Sequence, residues 1–200
     1  MLYLLLLIML LNTNSANLLD DNAIIDCSYS FTEAVSNLDF PNNIKKDLTI
    51  ITVRYYSFDD KLHQGQIVIH KDLAEDVKTI FKLIEEKRFK IAKAIPIVFY
   101  NWSDEKSMFA DNTSAFNYRF VAGTKRLSNH ATGRAIDINP FLNPQVFKDK
   151  VYPVTAKYNT KVEGTITANS FIVKEFKKMG WTWGGDWKRS KDYQHFEKMK

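Results

Sequence analysis

The sequence predicts an α+β fold: a single compact domain in which a small, mainly antiparallel sheet is packed by helices. Three observations carry this. Of 200 residues, 45% are apolar and 14% aromatic, enough to close one sizeable core. Strand-like runs and helix-like stripes are intermixed along the chain without a regular strand–helix–strand repeat. No segment recurs at a fixed period, which excludes a solenoid.

The elements follow in order. Met1 to Leu11 is an apolar run with no charged side chain, shorter than the roughly 20 residues a bilayer span needs. Residues 1–16 read as a signal peptide, with Asn14-Ser15-Ala16 offering a small residue for cleavage, although no Lys or Arg precedes the run. An exported protein is expected, with an uncleaved anchor as the alternative. Residues 17–47 form an N-terminal extension in which Ser30 to Ser36 reads as a short capped helix. The principal domain is expected over 48–200. It opens on Leu48 to Tyr56, a strand rich in β-branched and aromatic residues. Gly65 is expected to break the chain before a second strand, Gln66 to His70. Leu73, Val77, Ile80, Phe81 and Ile84 then fall at helical spacing, predicting a helix from Lys71 to Arg88 whose apolar stripe is core.

Ile95 to Tyr100 reads as a further strand, tolerating Pro96 near its start. Met108 to Gly133 is polar and long, a stretch whose length marks it as functional or irregularly structured. Ala135 to Asn139 alternates and predicts a short strand carrying Asp137. Ser170 to Met179 predicts a second amphipathic helix stopped at Gly180, and Trp181 to Glu197 a turn, a glycine pair and an edge strand.

Composition bounds the chemistry. The formal net charge is +5, with lysines scattered rather than striped. Without a dense basic stripe or a recognised reading motif, nucleic acid is not an expected partner. Cys27 is the sole cysteine, so neither an intramolecular disulfide nor a cysteine-rich metal site can form, and the thiol reads as idle. His63 and His70 read as structural.

Two segments carry chemistry: Ser128-Asn129-His130-Ala131-Thr132-Gly133-Arg134-Ala135-Ile136-Asp137 and Asp192-Tyr193-Gln194-His195-Phe196-Glu197. Zinc favours imidazole and carboxylate ligands, and a catalytic site keeps three protein ligands and an open position. His130, Asp137 and His195 supply such a set, and Gly133 would let the chain turn so that His130 and Asp137 converge. Asp192, three residues before His195, is spaced to act as general base. On spacing alone a second reading stays open, a hydrogen-bonded ion pair of His130 with Asp137. A serine triad of Ser128, His130 and Asp137 is disfavoured, since Ser128 lies two residues from the His without a nucleophile-elbow sequence.

The two segments resemble the zinc-binding signatures of the M15 peptidases, the D-alanyl-D-alanine carboxypeptidase and L-alanyl-D-glutamate endopeptidase family. They match as Ser-x-His-x6-Asp and acid-x-x-His. Asn112 to Arg119, Ile138-Asn139-Pro140, Asn143-Pro144 and Gly180 to Trp187 resemble the branch containing cell-wall peptidases and phage endolysins, so the likeness runs from about Val53 to Glu197. It implies the D-Ala-D-Ala carboxypeptidase or hedgehog-type zinc peptidase fold. One zinc ion would be held by His130, Asp137 and His195, with Asp192 as base and Arg119 steadying the oxyanion. Ser128, Trp183 and Trp187 would line the substrate cleft, the tryptophans having core packing as an equal alternative. The implied activity is hydrolysis of peptidoglycan stem peptides, in the periplasm or at the cell wall. The rival is a non-catalytic, zinc-containing wall-binding module on the same fold. No oligomeric state follows from these motifs.

Overall fold

The computed structural model describes residues 22–199; the leader expected over 1–16 lies outside them. β1 (Ile24–Ile25) leads into α1 (Phe31–Ala34). Ser30 caps α1 in a capping box: its hydroxyl accepts from the Glu33 N–H, and the Glu33 carboxylate accepts from the Ser30 N–H. The short helix α2 (Asn42–Asp47) runs directly into β2 (Leu48–Tyr56), which occupies the range its β-branched run predicts.

β3 (Leu62–His70) corrects the sequence reading, because the strand passes through Gly65 and pairs with β2 along its whole length, Gly65 lying opposite Val53. The glycine answers a tertiary demand instead. A Cβ there would stand 2.2 Å from the Ala94 carbonyl oxygen, so the residue marks a close backbone approach within a strand. β1 adds to β3 in parallel, giving the order β1-β3-β2.

The β2–β3 hairpin is covered on both faces. Ile51, Val53, Tyr55, Ile67 and Ile69 enter the main core, whereas Leu48 and Val68 pack with Ala34, Val35 and Phe116 in a second cluster. After a 3₁₀ turn at Lys71–Leu73, α3 (Ala74–Glu86) buries Val77, Ile80, Phe81 and Ile84 against the main core. These positions form one stripe of a 3.6-residue period.

β4 (Lys93–Ala94) is followed by a 3₁₀ turn at Ile97–Tyr100 where a strand was expected. Pro96 sits at the N-cap with φ −54°, and Asn101 ends the turn in the left-handed region at φ 52°. A proline before an apolar run thus starts a turn here. α4 (Asp104–Phe109), capped by Ser103, and β5 (Asn112–Thr113) follow, and β5 pairs with β4 in parallel. The polar stretch continues to a 3₁₀ turn at Asn129–Thr132, closed by Gly133 at φ +65°.

β6 (Ala135–Asp137) is buried throughout. Beyond it, Asn139 and Asn143 are fully buried and hold the exit loop from inside. Asn139 donates to the carbonyls of Lys90 and Gly164 and accepts from the Ala92 N–H; Asn143 donates to the Ile138 carbonyl and accepts from the Ile166 N–H. β7 (Gln145–Phe147) and β8 (Lys150–Tyr152) form a hairpin. α5 (Phe171–Lys178) buries Ile172, Val173 and Phe176, and Gly180 follows at φ +83°.

β9 (Thr182–Trp183), a 3₁₀ turn at Gly184–Asp186, β10 (Lys191–Asp192) and β11 (His195–Glu197) complete the described chain. β10 pairs with β7 in a sheet ordered β10-β7-β8. A further sheet is ordered β6-β11-β9, so β11 is its central strand rather than the expected edge. Several small sheets packed by helices therefore make up the α+β architecture. No helix among the described residues is long and apolar enough to cross a membrane.

Candidate functional site

Strand register assembles the centre. β11 runs antiparallel to β6 with His195 directly opposite Asp137 and Phe196 opposite Ile136. Directly opposed residues bring their side chains together on one face of a sheet. Phe196 points the other way, fully buried and stacked on Phe176 at 4.2 Å between ring centroids. This anchors the strand in the core while its neighbours face the site. His130 arrives from the 3₁₀ turn at Asn129–Thr132, whose return through Gly133 delivers the chain into β6. Ser128 Oγ caps that turn by accepting from the His130 N–H at 3.3 Å.

The converging atoms are close. His195 Nδ1 lies 2.9 Å from Asp137 Oδ1 and 3.2 Å from His130 Nε2, and His130 Nε2 lies 3.2 Å from Asp137 Oδ2. All three residues are at most 8% exposed. Ligands on one tetrahedral zinc, each about 2.0–2.1 Å from it, stand about 3.3 Å from one another. The observed triangle fits that spacing, and these three form the group able to hold a metal ion among the described residues. The outer nitrogens agree with this. His130 Nδ1 donates to the Ala115 carbonyl at 2.6 Å, leaving Nε2 as the inward atom. His195 Nε2 faces Glu197 Oε2 at 3.0 Å, leaving Nδ1 inward.

Charge reinforces the arrangement. Burial would raise the Asp137 carboxyl, but the imidazoles of His130 and His195 overcome it and hold the group well below the usual carboxylate range. Burial works against a protonated His195, yet its hydrogen bonds to Asp137 and Glu197 push its pKa up to about 10.

Asp192 stands beside this triangle, 7% exposed, on β10. Gln145, opposite it on β7, donates from Nε2 to Asp192 Oδ2 at 2.9 Å. Oδ1 is buried and makes no direct hydrogen bond among the described residues. Burial pushes its pKa up to about 6, against the pull of His195 and with the charge of Asp137 adding to the rise.

Arg119 lies on the loop before the 3₁₀ turn, and its carbonyl accepts from the Ser128 N–H. Its guanidinium is held by Asp104 at 3.1 Å, and Asp104 is itself bound by Asn117 Nδ2. The tryptophans divide. Trp183 is 3% exposed within the main core, and its Nε1 donates to the Tyr193 carbonyl. Trp187 is half-buried with its ring 5.4 Å from that of His195.

The remaining candidates lie elsewhere. His63 is bracketed by Asp26 and Asp59, and His70 packs against the Arg134 guanidinium. Cys27 is half-buried, its thiol pushed up to about 11 by burial. Gln145, Asp104, Asn129 and Glu197 were not singled out from sequence. Only Glu197 carried a signal, since a residue two beyond a ligand on a strand shares its face.

A buried carboxylate beside three residues that could hold a metal ion is an arrangement able to support metal-assisted hydrolysis. Residues 122–198 match a family model of the M15 peptidases described as D-alanyl-D-alanine carboxypeptidase. The matched stretch is less than half of the chain, but it contains His130, Asp137, Asp192 and His195; Arg119 lies just upstream. Over this segment the chain is similar to the M15 peptidases. No solved structure matches it.

Proposed function

We propose that the chain is a zinc-dependent peptidase of bacterial cell-wall peptides, cleaving at D-Ala-D-Ala as a carboxypeptidase or at L-Ala-D-Glu as an endopeptidase. The observation that carries this reading is the triangle of His130 Nε2, His195 Nδ1 and Asp137 at 2.9–3.2 Å, with a buried, half-bonded carboxylate beside it. The donor set of two imidazoles and one carboxylate is that of a catalytic zinc site.

A zinc ion held there would supply Lewis acidity, polarising the scissile carbonyl and acidifying a water near neutral pH. The chain's residues supply the rest. Asp192 takes one proton from the attacking water as its oxygen bonds to the carbonyl carbon. The same carboxyl then gives a proton to the leaving nitrogen as the C–N bond breaks, yielding a carboxylic acid and an amine. Its free Oδ1 gives it somewhere to hold that proton, and its displacement toward neutrality suits a group that must both accept and donate. Gln145 holds the other oxygen. Arg119, fixed by Asp104, is the cation we assign to the negative charge developing on the carbonyl oxygen. Trp187 beside His195 is assigned to the substrate face. We place the activity outside the cytoplasm, on the strength of the apolar leader.

The test is hydrolysis of purified muropeptides by the full chain, with products weighed by mass spectrometry. Asp192→Ala and chelated, zinc-restored samples are run beside it. A product that depends on zinc and falls by a factor of about 10²–10⁴ in Asp192→Ala supports the reading, and its mass names the bond. Absence of product from folded, zinc-loaded protein would favour a wall-binding module instead.

A further inference from the structure

We propose that Glu197 is a positioning residue that fixes His195 as a metal ligand through Nδ1. The inference rests on the metal-site reading above. It begins from strand geometry: His195 and Glu197 are two residues apart on β11, so their side chains project from the same face, while Phe196 between them is locked into the core. The pairing of β11 with β6 on one side and β9 on the other leaves the strand little freedom to rotate.

On that shared face the Glu197 carboxylate lies 3.0 Å from His195 Nε2. A carboxylate can only accept, so Nε2 carries a proton toward Glu197. Nδ1 faces the Asp137 carboxylate inside the triangle, and it is the proton there, not the one on Nε2, that a metal would replace. Nδ1 is the atom that meets Asp137 and His130. The carboxylate therefore selects both the tautomer and the ring orientation that a metal at this site needs.

Glu197 is in turn held. The same oxygen accepts from Asn129 Nδ2, and Asn129 immediately precedes His130. One carboxylate thus ties the strand bearing His195 to the turn bearing His130, segments separated by 65 positions. The two histidines are fixed by different means. His130 is pinned by a main-chain carbonyl, that of Ala115, which substitution does not remove. His195 is pinned by a side chain, so its geometry is the one that a single substitution can release.

The experiment measures zinc affinity of the full chain by competition with a chromogenic chelator. Wild type is compared with Glu197→Ala, Glu197→Gln and Thr182→Val. Gln keeps an acceptor oxygen for Nε2–H. Thr182 pairs opposite Glu197 across β9 and donates to its carbonyl, so its loss loosens the same strand without touching His195. The expected result is a tenfold to hundredfold weaker affinity for Glu197→Ala, a smaller loss for Glu197→Gln, and wild-type affinity for Thr182→Val. In long-range proton–nitrogen NMR spectra, the Nε2–H signature of the His195 ring should persist in Glu197→Gln and shift in Glu197→Ala. The inference is overturned if Glu197→Ala binds within twofold of wild type, or if Thr182→Val weakens binding as much. Failure of folded wild type to bind zinc at all would overturn the site reading and this inference with it.

Discussion

Asp111 lies in the turn after α4 at φ 53°, where its Oδ1 accepts from the N–H groups of Phe141 and Leu142. It ties that turn to the loop leaving the strand of Asp137. Burial pushes its carboxyl up to about 6 from 3.8, although the two N–H donors and Lys93 pull the other way. A folded-state value above the unfolded one means that ionisation costs the fold stability. The native state is favoured by this group below the unfolded value and loses that advantage as pH rises through about 6. Asp111→Asn keeps the acceptor oxygen and removes the charge. Its melting temperature should therefore exceed that of wild type at pH 8, and the difference should shrink as pH falls toward 4. Thermal melts across that range check it, and a constant difference would contradict the account. The same distinction governs what was legible in the sequence. His130, Asp137 and His195 could be singled out because few residue types bind metal and the segments carrying them resemble a known signature, and the fold brings the three together. Asp104, Gln145 and Asn129 could not, because an ordinary polar side chain acquires its role only from the partner that register and packing bring to it.

At the scale of elements, glycines show where backbone and site constrain each other. Gly133, Gly123 and Gly184 separate two physical effects. Gly123 has φ +72° in open space, so Gly123→Ala should cost about 1 kcal/mol from left-handed strain alone. Gly133 adds a collision, since a Cβ would lie 2.6 Å from the His70 nitrogen and 2.7 Å from Leu48 Cδ2. Gly133→Ala should cost on the order of 2–4 kcal/mol in urea unfolding. Gly184 has the collision without the strain, its would-be Cβ meeting Asp192 O at 2.5 Å and Asp192 Cβ at 2.8 Å. Gly184→Ala should therefore displace the proposed base, costing about 1–3 kcal/mol of stability and more than tenfold in kcat. Equal stability losses at all three positions would show that collision is not the deciding effect. Elements whose cause is local were legible: β2 from its β-branched run, α3 and α5 from their apolar stripes, α1 from its capping serine. Those with a distant cause were misread. Gly65 is required by the Ala94 carbonyl, not by a turn, and β11 is central because β6 and β9 both come to it.

Over the whole molecule, the proposed metal site is also a staple. Its ligands come from the turn at Asn129–Thr132, from β6 and from β11, and β11 and β6 together contribute Ile136 and Phe196 to the main core. An ion bound by all three would resist any unfolding that separates them, because the unfolded chain does not present the ligands together. Stabilisation by a ligand that binds only the folded state is about 2.7 kcal/mol at a free concentration one hundred times Kd. For a chain of this size that corresponds to a rise of about 5–10 °C in Tm. Calorimetry of the full chain with zinc, and then with excess chelator, should show a shift of that order. His130→Ala should melt at one temperature under both conditions, since an imidazole that supplies one corner of the triangle is gone. Glu197→Ala belongs between them: all three ligands remain, but one ring is no longer held, so more zinc should be needed to reach the same Tm. A wild-type Tm insensitive to both zinc and chelator would mean that the triangle is a hydrogen-bonded cluster, the second reading that spacing alone left open. A zinc shift preserved in His130→Ala would place the ion elsewhere in the chain.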